Sequence, residues 1–279
     1  MITMKGAAVS AKLKEQVEKG LETLTWVPKL TIIRVGENPD DISYEKGATK
    51  KLTSFGLEVE SKVFPGDISD EAFKREFAAI NADASVDGIL MLRPLPKQIN
   101  EQDIEKMIDP AKDLDGISPV NIAKVFSGDT SGFAPCTAEA VVCMLKMNDI
   151  ALSGKRVAVV GRSMVVGRPL SMLLLHENAT VTICHSRTAS LPEVCREADI
   201  LTACVGKAAM INHTYVKKDA VVIDVGINVD ENGKLCGDVD FAGVEPIASY
   251  ITPVPGGVGP MTRAMLMSNI VTAARLHTK

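Results

Sequence analysis

The sequence predicts an α/β protein built on parallel sheets, and three observations carry that reading. Short apolar runs alternate with segments of helical period along most of the chain, as repeated β-α-β units require. Several of the runs are continuously apolar rather than alternating, the pattern of strands covered on both faces. Aromatic residues make up only 4% of a chain that is 46% apolar, so the core must be aliphatic and rich in methionine. With 279 residues, the chain is long enough for two domains at about 150 residues each.

Val9, Leu13, Val17, Leu21 and Leu24 recur at spacings of four and three, so residues 9–24 should form an amphipathic helix, with Ser10 available as its N-cap. The run Leu30–Val35 reads as a strand that ends at Gly36 and Pro39, after which Asp40 or Asp41 can cap a helix running to Gly56. Leu57–Phe64 is a second strand. Ser69 opens a helix with Phe73, Phe77 and Ile80 on one face, and Asp87–Leu92 is a third strand closed by Arg93-Pro94-Leu95-Pro96.

A Gly/Asp/Ser-rich stretch at 127–132 separates this half from the next. A helix over 137–147 leads to the apolar strand Arg156–Val160, and further strands are expected at 179–184, 199–204 and 220–225, separated by helical segments. That alternation predicts a doubly wound parallel sheet. Residues 261–277 have helical period, and connectivity suggests that this helix packs back on the first domain. The expected domains are therefore 1–136 with 262–279, and 137–261.

Thirty-one Lys and Arg against 35 Asp and Glu leave a net charge of −4 with no basic block, which argues against a nucleic-acid partner. The six cysteines, Cys136, Cys143, Cys184, Cys195, Cys204 and Cys236, show no C-x-x-C pair and no zinc-ligand spacing, so free thiols in a reducing compartment and no metal are expected. Residues 1–8 carry no apolar signal region, and no apolar run is long enough to span a membrane, so a cytoplasmic protein without membrane contact is expected.

The strand 156–160 runs into Gly161-Arg-Ser-Met-Val-Val-Gly167, with a helix expected to start near Gly167. A glycine there permits a tight turn, and the helix N-terminus offers unpaired N–H groups to a pyrophosphate. The pattern is not the standard G-x-G-x-x-G, and on spacing alone it also fits a plain strand-to-helix turn. Dinucleotide folds that prefer NAD carry an acid about 20 residues on, to hold the ribose hydroxyls. Here the next strand ends His185-Ser186-Arg187, 24 residues after Gly161 for the histidine, with no acid. Arg162, Ser186 and Arg187 could converge on a 2′-phosphate, which favours NADP.

Three further loops stand where open α/β sheets place ligands: Arg93–Pro96, Lys112-Asp-Leu-Asp-Gly116, and Thr252–Thr262 with Gly256, Gly257 and Gly259 among prolines. Together with Arg34–Pro39, Pro135–Thr137, Gly161–Ser163, Val166-Gly167, His185-Ser186, Asp224–Asn228 and Gly237–Asp240, they give the chain a resemblance over essentially its whole length. It resembles the methylenetetrahydrofolate dehydrogenase/methenyltetrahydrofolate cyclohydrolase family. The resemblance implies a folate-binding α/β domain, a C-terminal Rossmann domain, a cleft between them, and a homodimer. It also implies that Tyr44 and Asp115 serve catalysis and bind the folate, with Pro255 and Gly256 lining the substrate site. Gly161, Arg162, Ser163, Gly167, Ser186, Arg187 and Ile227 are then the expected cofactor residues.

The sequence departs from the family at two places. Members that run both reactions resemble one another in a lysine four residues after the tyrosine and a glutamine two residues before the first proline of the strand-end turn. Ala48 and Leu92 stand at those positions here. On a helix, Lys46 and Lys50 point away from the Tyr44 face, and Lys51 returns to it about 10 Å further along. Hydride transfer needs no side chain to take a proton, whereas hydrolysis does. A dehydrogenase with weak or absent cyclohydrolase activity is the expectation; a fully bifunctional enzyme and a silent NADP- or folate-binding sensor are the alternatives.

Overall fold

In a computed structural model, which describes residues 1–277, the first half of the chain runs β1 (Ile2–Thr3), α1 (Gly6–Leu21), β2 (Lys29–Val35), α2 (Pro39–Thr53), β3 (Glu58–Phe64), α3 (Asp70–Ala82), β4 (Gly88–Met91), α4 (Glu101–Met107) and α5 (Pro119–Ser127). The second half runs α6 (Cys136–Met147), β5 (Arg156–Val160), α7 (Gly167–His176), β6 (Thr180–Cys184), α8 (Leu191–Arg196), β7 (Ile200–Ala203), β8 (Val221–Asp224), β9 (Asn228–Val229), β10 (Leu235–Cys236), α9 (Phe241–Val244), β11 (Tyr250–Ile251) and α10 (Val258–Leu276). The chain divides into two compact units, one of Met1–Lys12 with Pro135–Met265, the other of Leu13–Ala134 with the residues from Leu266 onward.

The second of these units holds a three-stranded parallel sheet in the order β3-β2-β4. The central strand β2 is almost wholly buried, which is why its sequence is apolar on both faces. The Asn38 side chain caps α2, accepting from the Asp40 N–H at 2.9 Å, so the cap lies just before the two aspartates expected for it; Asp40 and Asp41 instead place negative charge in the first turn. The helix ends at Thr53, before Gly56 turns the chain with φ +79°. Ser69 caps α3, and Phe73, Phe77 and Ile80 are buried beneath it.

Beyond β4 the chain returns beside it, with Ile89 and Asp113 forming a parallel bridge and the Ile89 N–H donating to Lys112 O at 2.7 Å. Lys112 is 6% exposed, and its ammonium donates to the carbonyls of Asn81 and Asp83 at 2.8 and 2.7 Å, at the C-terminal end of α3. The final helix joins this unit as expected: Asn269 Nδ2 donates to Leu114 O at 3.0 Å, and the Arg275 guanidinium reaches Gly20 O and Thr23 Oγ1. Gly88 allows that approach, since a Cβ there would lie 2.5 Å from Leu114 and 2.7 Å from Ile270.

The first unit holds a six-stranded parallel sheet in the order β1-β11-β8-β7-β5-β6. Its outermost strand on one side comes from the start of the chain. Ile2 N–H donates to Ser249 O at 2.7 Å and Met4 N–H to Ile251 O at 2.8 Å, closing the open edge of β11. The sequence reading grouped residues 1–12 with the first half because nothing local signals so distant a partner. This pairing also starts α1 early, at Gly6 rather than near Val9. Ser10 therefore sits inside the helix, where its hydroxyl donates to Pro260 O at 3.3 Å instead of capping. All six cysteines are free, and among the described residues no helix is long and apolar enough to cross a membrane.

Because Lys112 ties the loop carrying Asp115 to the end of α3, Lys112→Met should remove two charge-assisted hydrogen bonds and lower the unfolding free energy in urea by about 1.5–3 kcal/mol. An unchanged urea midpoint would show that the buried ammonium does not hold the loop.

Candidate functional site

The parallel strands β5, β6 and β7 of the six-stranded sheet end at one edge together, and the turns that follow them build a cavity of about 420 Å³. Gly161, after β5, turns with φ +133°, and a Cβ on it would lie 2.3 Å from Cys204 O. Gly167 opens α7 directly behind this turn, where a Cβ would fall 2.2 Å from Gly161 O. Both glycines therefore answer to close backbone approach, which brings the start of α7 against the strand end.

The cavity lining contains Gly161, Arg162 and Ser163 after β5, His185 and Ser186 after β6, and Cys204, Val205 and Lys207 after β7. Four residues expected from the sequence, Gly161, Arg162, Ser163 and Ser186, are thus gathered in one place. Gly167 supports the turn from behind. Arg187 and Ile227 lie off the lining: the Arg187 backbone N–H donates to His185 Nδ1 at 3.1 Å, and Ile227 projects beyond β8 with 67% of its surface exposed. The lining residues include Arg162 and Lys207 and no carboxylate.

Sequence reasoning missed the β7 contribution, because the run 199–204 was read only as a strand and the turn after it carries no recognisable pattern. Burial and the neighbouring Asp238 carboxylate push the Cys204 thiol up to about 12, and its Sγ donates to Val160 O at 3.2 Å. The thiol is therefore a neutral wall, not a nucleophile. Among the described residues no group of three or more His, Cys, Asp or Glu is placed to hold a metal ion.

In the other unit the carboxyl ends of β2 and β4 lie side by side, with Leu92 N–H donating to Ile33 O at 2.9 Å. The Ile89–Asp113 bridge brings the loop that carries Asp115 alongside β4, and the chain turns at Leu114 and Asp115 straight after it. The loop is fixed by Asp113, which is buried and accepts from Ile117 N–H, Ser118 N–H and Asn121 Nδ2 at 2.8–2.9 Å. Gly116, with φ +60°, then turns the chain away.

Tyr44 is half-buried on α2, and one turn further Ala48 is fully buried, followed by Leu52. The helix is pinned to β2 by an ion pair between Arg34 Nε and Glu45 Oε2 at 2.6 Å. Burial alone would raise the Glu45 carboxyl, but hydrogen bonds from Ser61 and Arg34 outweigh it and hold the group below its ordinary value. Lys46, Lys50 and Lys51 are all exposed, and the Lys51 ammonium sits 5.0 Å from the Phe55 ring. Pro255 and Gly256 belong to the six-stranded unit, in the loop before α10. Gly256 adopts φ +105° and its carbonyl accepts from Gly6 N–H at 2.9 Å, so part of this loop serves to dock the start of α1.

A parallel sheet with a glycine turn, a helix starting behind it and a cation-lined cavity at its carboxyl edge defines a nucleotide-binding α/β protein. Residues 135–278 match the model for the tetrahydrofolate dehydrogenase/cyclohydrolase NAD(P)-binding domain, and residues 4–115 match that for the catalytic domain of the same enzymes; the chain belongs to this family. A bifunctional protein FolD of Clostridium kluyveri is 48% identical over 281 aligned residues, spanning 100% of this chain and 99% of the relative. The crystal structure of the bifunctional dehydrogenase/cyclohydrolase FolD of Campylobacter jejuni superposes with a TM-score of 0.96 at 39% identity, covering 99% of each chain. The enzyme of Trypanosoma brucei, solved with NADP and an inhibitor, superposes with a TM-score of 0.93 at 31% identity over 100% of this chain and 99% of its own.

Asp224, at the end of β8, accepts backbone N–H groups from Gly226, Asp238 and Val239 at 2.9–3.0 Å. Burial, with the nearby Asp238 carboxylate adding to it, nevertheless pushes its carboxyl up to about 6. Between about pH 4 and 6 the folded protein then holds a proton that the unfolded chain has released, so this group's contribution to stability falls as pH rises through that window and is level above it. The unfolding free energy should drop by up to about 3 kcal/mol across the window from this group. Urea titrations at several pH values test this: Asp224→Asn should flatten the slope, and an identical slope in the variant refutes the assignment.

Proposed function

We propose that the protein is an NADP-dependent methylenetetrahydrofolate dehydrogenase with little or no cyclohydrolase activity. The observation that carries the second half of this reading is the fully buried Ala48, one helical turn after Tyr44, where bifunctional members would present a lysine. Leu92 at the sheet edge replaces the matching glutamine, and the nearest lysines of α2 are exposed, Lys51 beside Phe55.

The folate is assigned to the unit with β2–β4 and the dinucleotide to the six-stranded unit. Asp115, in the loop just after the Ile89–Asp113 bridge, would hydrogen-bond the pterin, and Tyr44 would orient its ring. The cavity after β5, β6 and β7 suits a dinucleotide: Gly161 and Gly167 let the backbone approach closely, Ser163 and Ser186 offer hydroxyls, and Arg162 offers a guanidinium to a 2′-phosphate, with Arg187 close to the rim. Ile227 would meet the dinucleotide from the β8 side. Bound NADP+ supplies the hydride acceptor. The positive charge left on the folate is shared by the two nitrogens flanking its methylene carbon, so orientation suffices for this step and no side chain need accept a proton.

Hydrolysis of the methenyl product differs, because water must lose a proton and a ring nitrogen must gain one. A positioned acid or base is worth about 10²–10⁴-fold in such steps, and neither Ala48 nor Leu92 can act as one. Turnover of methylenetetrahydrofolate with NADP+, followed by nicotinamide absorbance, should be robust while methenyltetrahydrofolate hydrolysis stays near background. Ala48→Lys combined with Leu92→Gln should raise the hydrolysis. The names of the relatives favour the fully bifunctional reading instead, and hydrolysis by the unmodified protein as fast as oxidation would establish it.

The carboxylate-free lining predicts a higher kcat/KM with NADP+ than with NAD+. Arg162→Ala should weaken NADP+ by about 1.5–3 kcal/mol and leave NAD+ nearly untouched, the figure for a charge-assisted contact. Better steady-state kinetics with NAD+ would overturn the preference.

A further inference from the structure

Two stretches at the carboxyl edge of the six-stranded sheet, 224–228 and 237–240, come together beside the cavity, and of their residues only Ile227 has so far been given a part in the chemistry. They meet at Asp238, whose side chain is completely buried. One carboxylate oxygen accepts from Val205 N–H at 2.6 Å and Gly206 N–H at 3.1 Å; the other accepts from Lys207 N–H at 2.8 Å and Asn228 Nδ2 at 2.9 Å. Every acceptor site on the group is used.

We infer that Asp238 is a positioning residue of the dinucleotide site: its carboxylate holds the turn after β7, which supplies Val205 and Lys207 to the cavity, and through Asn228 it holds the segment carrying Ile227. The inference rests on the proposed dinucleotide function of that cavity. Three successive backbone N–H groups of this kind form a concavity that readily takes an anion. Here the chain's own carboxylate occupies it, so the turn cannot spend those N–H groups on a phosphate and its side chains face the ligand instead. Asp238 therefore fixes which surface of the turn the ligand meets.

The anchor is itself anchored. Asp238 N–H donates to Asp224 Oδ1 at 2.9 Å and Val239 N–H to Asp224 Oδ2 at 2.9 Å, tying the segment to the end of β8. The flanking glycines leave no slack: a Cβ on Gly226 would lie 2.3 Å from Asp238 Cγ, and one on Gly237 would lie 1.8 Å from Asp224 Oδ2. Strand end, carboxylate and cavity turn thus form one interlocked unit, and a change at Asp238 is transmitted to Val205 and Lys207 without touching the ligand.

Asp238→Asn keeps the shape but replaces one acceptor oxygen with an N–H₂ group, setting donor against donor on one side. Calorimetry should show NADP+ Kd rising about 10–100-fold, as expected for lost charge-assisted bonds, with the change appearing in KM for NADP+ far more than in kcat at saturation. Folate affinity should hold. Asn228→Ala, which removes one donor of the four, should give a smaller rise of several-fold and serves as the reading if Asp238→Asn fails to fold. If the wild-type protein binds NADP+ and both variants, folded by circular dichroism, bind it equally well, the positioning role is wrong while the dinucleotide site stands. Equal losses of NADP+ and folate affinity would also overturn it, as general damage. If the wild-type protein binds neither NADP+ nor NAD+, the reading of the cavity fails and this inference with it.

Discussion

The buried carboxylate that accepts backbone N–H groups is the interaction on which both halves of this protein depend. An ionised carboxyl cannot stay in the interior unless its oxygens are fully hydrogen-bonded, so each such group must recruit its neighbours' main chain. Asp113 gathers Ile117, Ser118 and Asn121; Asp238 gathers Val205, Gly206, Lys207 and Asn228; Asp224 gathers Gly226, Asp238 and Val239. Most of the recruited groups are the main chain of loops that follow strands of a parallel sheet, with Asn121 of α5 and Asn228 of β9 adding their side chains. Loops there would otherwise be the most mobile part of the fold, yet they carry the candidate chemistry.

Parallel topology explains why the chemistry collects at these edges. Strands that run the same way end on the same side, so residues far apart in sequence arrive together. Gly161, Ser186 and Val205 follow three different strands and share one cavity, and the loop of Asp113 bridges to Ile89 of β4. Glycine at 161 and 167 then sets how near the backbone can come, since either Cβ would overlap a carbonyl.

On the proposed function, the region of α2 separates two reactions on one scaffold at a single position. The Arg34–Glu45 pair and the buried Leu52 keep the helix, and so Tyr44, in place independently of the side chain at position 48. Binding and orientation draw on the scaffold, and proton transfer draws on a single side chain. A hydride transfer that needs only orientation can outlast the loss of the group that hydrolysis requires.

Much of this could be read in the sequence because it is local. The aliphatic runs of β2 and β5, the Ser69 cap with Phe73, Phe77 and Ile80 beneath it, and the Gly161–Gly167 turn are each decided by residues a few positions apart, where period, capping and backbone freedom act directly. The absence of a lysine at 48 and of an acid after β6 was equally plain. The tertiary structure alone decided what depends on distant partners. It paired Ile2 and Thr3 with β11, which moved the start of α1 and took Ser10 out of its expected cap; it committed Lys51 to Phe55; and it brought Cys204, Val205 and Lys207 into the cavity. It also aimed Asp238 at the turn after β7, some thirty residues earlier. A buried charge must find donors wherever the fold supplies them, and no periodicity in the chain records where that will be.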